Sequence, residues 1–182
     1  TYTHITEGNA LRIDWNEVVP SNKLNYIMGN PPFVGKGSMR NKDVVSDIKF
    51  LKIDETLDYV AGWYIKASNF IQNTDIKCAF VSTNSITQGE QVAPLWKELI
   101  LNRNIIINFA YRTFIWDSEA TIKAHVHCVI IGFSLINNKD KIIYDKNKII
   151  KAKNINGYLL DAPNVFIEKR YNPICNVGRV VS

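Results

Sequence analysis

The chain has 182 residues, 46% hydrophobic and 21% charged, which suits one globular domain with a proper core and excludes a disordered tail. Nine Gly and six Pro fall short of a low-complexity bias. No apolar run approaches the roughly 18 residues of a membrane span, and no basic-then-apolar leader follows Thr1, so a reducing cytoplasm and no membrane partner are expected. The net charge of +5 sits in the tail: residues 1–134 hold 13 basic and 13 acidic side chains, and residues 135–182 hold 9 and 4. A basic tail suits a surface that meets a polyanion, and equally a solvated, lysine-rich edge hairpin. Cys78, Cys128 and Cys175 stand far apart without CxxC pairing, which supports neither a disulfide framework nor a zinc cluster.

In chain order, residues 24–28 (LNYIM) predict a strand that must stop at Gly29 and Asn30-Pro31-Pro32-Phe33, because two prolines forbid both helix and ladder. Residues 34–54 read as a long loop or short helix of the kind that closes over a ligand. Leu57, Val60, Ala61, Tyr64, Ile65, Ala67 and Ser68 recur at helical spacing, predicting a helix over 55–73 with one apolar stripe. Residues 76–82 (IKCAFVS) predict a buried strand, 90–101 a second helix, 105–111 a third strand, and 124–133 (AHVHCVIIGF) a β-branched fourth. The alternation of strands and helices predicts an α/β sheet, and the last two strands, lacking a helical crossover, should pair antiparallel beside parallel neighbours. Residues 141–150 predict one more lysine-studded edge strand.

In an open α/β sheet, ligands sit outside the strand carboxyl ends, where Asn30-Pro31-Pro32-Phe33 falls. An amide oxygen, carbonyls that prolines keep out of a ladder, and a flat phenyl face can together grip a planar group bearing an amine, as a nucleobase does. The bare tripeptide could equally be a turn that caps a strand.

Those four residues, after Tyr26-Ile27-Met28-Gly29, resemble the (D/N/S)PP(Y/F) motif of amino-group DNA methyltransferases, in the N(6)-adenine version that begins with Asn or Asp. Residues 57–64 (LDYVAGWY), 78–91 (CAFVSTNSITQGEQ) and 126–133 (VHCVIIGF) together resemble the MmeI-like group of single-chain type II restriction-modification enzymes. Residues 161–167 (DAPNVFI) resemble the start of that group's target recognition domain.

The resemblance implies half of a Rossmann-like class I methyltransferase sheet with flanking helices. Its strands would be numbers 4-5-7-6 of the family order 3-2-1-4-5-7-6, the last antiparallel. Residues 1–150 would be the carboxyl-terminal half of the catalytic domain, and 151–182 a linker and the start of target recognition. The implied function is S-adenosylmethionine-dependent methylation of adenine in duplex DNA, probing a flipped base, with an endonuclease elsewhere in the protein. Asn30 and the Pro31 carbonyl would accept from the 6-amino group, with Pro32 stiffening the turn and Phe33 stacking on the base. Phe114, or Trp116 in competition with it, would cover the other side. Asn30, Asp14 and Trp15 would meet the cofactor, the last two at its adenine, though Asp14 reads equally well as a turn carboxylate. Tyr59 and Trp63 read either as core packing or as a border of the cofactor. The family's glycine-rich turn and ribose-binding acid have no counterpart before Asn30, so the chain alone should bind cofactor poorly. The first strand would then have an unpaired edge, and a homodimer or swapped contact is expected there.

Other chemistries are weaker. His125 and His127 could begin a zinc or iron site but lack a third ligand, so no metal is expected. Asp54, Glu55 and Asp58 read as helix-start acids that favour the macrodipole, and Ser82-Thr83-Asn84-Ser85 has no partnered base. Two rivals remain: a protein glutamine methyltransferase, which shares NPPY but not the other segments, and a catalytically silent DNA-binding or assembly module.

Overall fold

Six strands form one sheet among the residues that the computed structural model describes, which are 5–34, 41–116 and 126–167, without the side chain of Trp116. In chain order they are β1 (Tyr26–Gly29), β2 (Lys77–Thr83), β3 (Ile106–Trp116), β4 (Val126–Ser134), β5 (Lys141–Asp145) and β6 (Lys148–Ala152). Their spatial order is β1-β2-β4-β3-β5-β6. The first four thus follow the 4-5-7-6 arrangement implied by the resemblance. β1 runs parallel to β2, β4 antiparallel to both β2 and β3, and β5 parallel to β3. The carboxyl ends of β1, β2, β3 and β5 therefore lie along one rim of the sheet.

The helices are α1 (Trp15–Val18), α2 (Lys42–Leu51), α3 (Ala61–Phe70) and α4 (Val92–Lys97), the last widening into a π turn over Glu98–Asn102. The segment after Phe33 thus contains a ten-residue helix, α2, capped by the Asn41 side chain on the Asp43 N–H and ended by Lys52 in the left-handed region. α3 begins at Ala61, not at residue 55. Asp54 holds Thr56 in a local turn, and the Asp58 N–H donates to Gln91 Oε1 at 2.9 Å rather than to a helical carbonyl. Asp54, Glu55 and Asp58 consequently precede the helix instead of lining its first turn.

One face of the sheet carries α3 and α4. Tyr64 of α3 stacks on Phe133 at 5.3 Å and meets Phe80 and Trp96 edge-on at 5.4 and 5.7 Å. All four rings are buried, and each such pair adds about 0.5–1.5 kcal/mol beyond its buried area. The Tyr64 hydroxyl and Trp96 indole N–H are both satisfied, by Ser82 Oγ at 2.7 Å and the Ile86 carbonyl at 2.8 Å. The opposite face is more open: along β2, Cys78, Phe80 and Ser82 are buried while Ala79, Val81 and Thr83 are only half-buried. The run read as a fully buried strand is thus covered well on one side only.

Residues 141–150 form a hairpin rather than a single edge strand. β5 and β6 join through Lys146-Asn147, and β5 is interior, between β3 and β6. Lys141 is accordingly buried, its Nζ donating to Asn137 Oδ1 and to the carbonyls of Asn138 and Lys153 at 2.5, 3.1 and 3.3 Å. The expected boundary at 150/151 falls inside β6. Ile155 and Leu159 belong to the same core, and Gly157 lies so close to Trp96 that a Cβ there would stand 2.6 Å from its Cγ. Among the described residues, no helix is long and apolar enough to cross a membrane.

Candidate active site at the strand carboxyl ends

β1 ends at Gly29, so Asn30 is the first residue past the ladder. Its side chain is exposed, Pro31 is buried, Pro32 is exposed and Phe33 is half-buried. Among the described residues, no hydrogen bond holds the Asn30 amide. An anchored proline therefore carries a free acceptor on one side and an accessible ring on the other, which is what gripping a planar amine requires.

Thr83 of β2, Cys128 of β4 and Phe114 of β3 face one another in register near the same rim. Phe114 is half-buried, with its ring perpendicular to Tyr111 at 5.4 Å. It shares the rim with Asn30 but stands three strand spacings away, about 14 Å. Trp116 ends β3, and its side chain lies outside the described residues.

The segment before β1 approaches this end through α3. Gly62 admits Leu11, whose Cδ1 would stand 3.1 Å from an added Cβ, and Leu11 is fully buried. Asp14 is exposed and caps α1, its Oδ1 accepting from the Asn16 N–H at 2.9 Å. Trp15 is half-buried: its indole N–H donates to the Ala10 carbonyl at 2.8 Å, and its ring meets Phe70 edge-on at 5.5 Å. Lys66 Nζ lies 5.9 Å from that ring and donates to the Ile13 carbonyl at 2.7 Å. Burial lowers the Lys66 pKa, with the Asp14 charge opposing.

Two carboxylate hubs escape a reading of the sequence. Asp47 on α2 is 2% exposed and accepts from Arg12 Nε at 2.6 Å, Asn9 Nδ2 at 2.8 Å and the Tyr59 hydroxyl at 2.5 Å. Burial works to raise its pKa, but the three donors and the guanidinium charge outweigh it and hold the carboxyl below its ordinary value. The Tyr59 phenol is pushed up by burial and by the adjoining carboxylate. Tyr59 also packs edge-on against Trp63 at 5.1 Å, so this pair belongs to the packing around Leu11, Val44 and Ile48. The second hub is Asp58, whose Oδ2 accepts from Ser85 Oγ and, at 3.4 Å, from Thr83 Oγ1. Ser85 is therefore held by a carboxylate and by the Thr83 hydroxyl, and among the described residues no histidine or lysine contacts it to complete a serine-nucleophile arrangement. No local spacing announces either hub, since each joins residues dozens of positions apart.

Among the described residues, no group of three or more His, Cys, Asp or Glu side chains gathers to hold a metal ion. His127 is exposed, and His125 lies outside the described residues. Cys78 and Cys128 are buried, and burial pushes the Cys78 thiol up to about 12 and raises that of Cys128. Cys175 lies outside the described residues.

Comparison with known proteins shows the family of the chain. Residues 1–145 match the family model of the MmeI DNA-methyltransferase domain. DNA methyltransferase A of Bacillus subtilis (strain 168) is 38% identical over 181 residues, 95% of this chain and 20% of that protein. A structure of the type IIL restriction-modification enzyme MmeI in complex with DNA has a TM-score of 0.87 at 49% identity, covering 96% of this chain and 24% of that one. The chain thus spans about a fifth to a quarter of the length of these relatives.

Proposed function

Because the chain belongs to the MmeI DNA-methyltransferase domain family, we propose that it is the carboxyl-terminal half of a domain that methylates the 6-amino group of an adenine flipped from duplex DNA. The donor is S-adenosylmethionine, and the whole protein is a restriction-modification enzyme that also carries an endonuclease. The observation that supports this reading best is the exposed Asn30 amide just past β1, followed by buried Pro31 and the half-buried ring of Phe33.

Asn30 Oδ1 and the Pro31 carbonyl accept the two hydrogens of the adenine amine, and Phe33 stacks on the base. Reading that edge demands a flipped base, since pairing hides it inside the duplex. Holding both hydrogens aims the nitrogen lone pair, and the fixed acceptors match the positive charge that builds on nitrogen as it attacks. Phe114 or Trp116 covers the base from the rim. As the N–C bond formed, the S–C bond of the donor would break to leave a neutral thioether, and the methylated nitrogen would pass its extra proton to water.

The residues present fit one part of the methyl donor. An adenine ring asks for an acceptor for its amine and a flat apolar neighbour, and Asp14 and Trp15 stand side by side with the Asp14 carboxylate exposed and only Oδ1 used in its cap. When bound, the cofactor supplies a sulfonium methyl that needs no metal to be electrophilic. Asn30 would hold the amine in place for that methyl.

The test is incubation of the natural-length protein with a labelled methyl donor and duplex DNA. Label on adenine is the expected result. Label on protein would replace this reading with glutamine methylation, and DNA binding without label with a silent module.

The chain taken alone is expected to pair with a second copy along the outer edge of β1, which among the described residues pairs only with β2. Light scattering at high concentration should report a dimer, and a clean monomer would remove the proposal.

A further inference from the structure

A cleft of about 340 Å³ opens beside the site, bordered by Thr87, Gln88, Gly89, Arg112, Thr113 and Tyr158. Building on the DNA-methylation reading, we propose that this cleft seats a backbone phosphate of the DNA flanking the target base, with Arg112 exchanging Asp145 for that phosphate.

Position comes first. Thr87–Gly89 lies just past the carboxyl end of β2, and Arg112 and Thr113 belong to the last turns of β3 toward the same rim. Arg112 stands three strand spacings from the strand that carries Asn30, about 14 Å. That span is comparable with the roughly 12 Å width of the major groove, so one duplex can reach both places.

Chemistry points the same way. Arg112 Nη1 contacts Asp145 Oδ2 at 3.0 Å, and both side chains are 34% exposed. An ion pair this wet contributes little to stability and is readily given up. The contact uses one nitrogen, whereas a phosphodiester offers two oxygens to the planar fork. At Gly89, φ is +56° and, among the described residues, no heavy atom beyond its chain neighbours lies within 4 Å of the place a Cβ would take, so an anion can approach the backbone closely. Lys146 and Lys148, at the tip of the β5–β6 hairpin beside Asp145, are exposed and extend the positive strip along the rim.

Arg112→Gln and Asp145→Asn break the same ion pair, so a structural effect is common to both, whereas a phosphate seat moves them in opposite directions. In the natural-length protein, binding of duplex DNA is followed by fluorescence anisotropy across a salt series. Arg112→Gln should weaken binding on every DNA sequence and lower the slope of log K against log salt by about one. Asp145→Asn, which removes the competing carboxylate, should tighten binding by about two- to fivefold. An unchanged slope in the first variant, or weaker binding in the second, overturns the phosphate seat. Opposed shifts in a protein that leaves adenine unlabelled would keep the seat and remove the methylation reading. Labelled adenine without opposed shifts would do the reverse.

Discussion

Replacing Asn30 with alanine is expected to lower kcat for adenine methylation by about 10²- to 10³-fold, the usual scale for losing one fixed polar group aimed at developing charge. The fold should not notice. Asn30 is exposed, lies outside the ladder and has no hydrogen bond among the described residues, so its removal costs less than about 0.5 kcal/mol. Asn30→Asp should retain more activity than Asn30→Ala, because a carboxylate still offers the acceptor oxygen. The decisive comparison is single-turnover methyl transfer beside the melting temperature of each variant. Activity retained in Asn30→Ala would remove this side chain from the mechanism, and a collapsed melting temperature would reassign it to the fold.

Asp47→Ala should instead act on stability. Three donors, from Arg12, Asn9 and Tyr59, would lose their shared acceptor in a site that is 2% exposed, at a cost of about 3 kcal/mol. The effect should reach the site indirectly, because Arg12 and Asn9 tie the segment leading to Asp14 against α2. A pH signature separates the charge from simple packing. The folded-state pKa of Asp47 lies below the ordinary carboxyl value of 3.8. The carboxylate therefore contributes its stability in full above about pH 4 and loses it as pH falls through the lowered folded value. Urea midpoints of wild type and Asp47→Ala should differ most at pH 7 and converge toward pH 3. A gap of constant size at both pH values would mean that shape, not charge, holds this hub.

Much of this architecture is written in short-range pattern. A buried apolar run marks β2 and a β-branched run marks β4, a 3.6-residue stripe from Leu57 to Ser68 marks the buried side of α3, and a double proline after an apolar run marks where β1 must stop. Missing crossover residues between β3 and β4 dictate an antiparallel pair, whereas the order β1-β2-β4-β3 was implied by the family resemblance alone. Each signal is carried by residues within a few positions of one another, where backbone sterics and side-chain spacing act without help from the rest of the chain.

Folding in three dimensions decided the rest. Asp58 looks like a helix-start acid until the returning chain brings Ser85 and Gln91 to it, and the resulting bonds delay α3 to Ala61. Asp47 sits among the polar residues of an unremarkable helix, yet Arg12, 35 positions earlier, makes it a hub. Lys141 reads as a solvated edge lysine and becomes a buried staple because β6 adds itself outside β5. Residues 155–159 fall in the stretch expected to hold a linker and the start of target recognition, and they close over Trp96, which only the absence of a Cβ at Gly157 permits. In every case the deciding partner is distant along the chain, and a contact of that kind exists only after the intervening elements have packed.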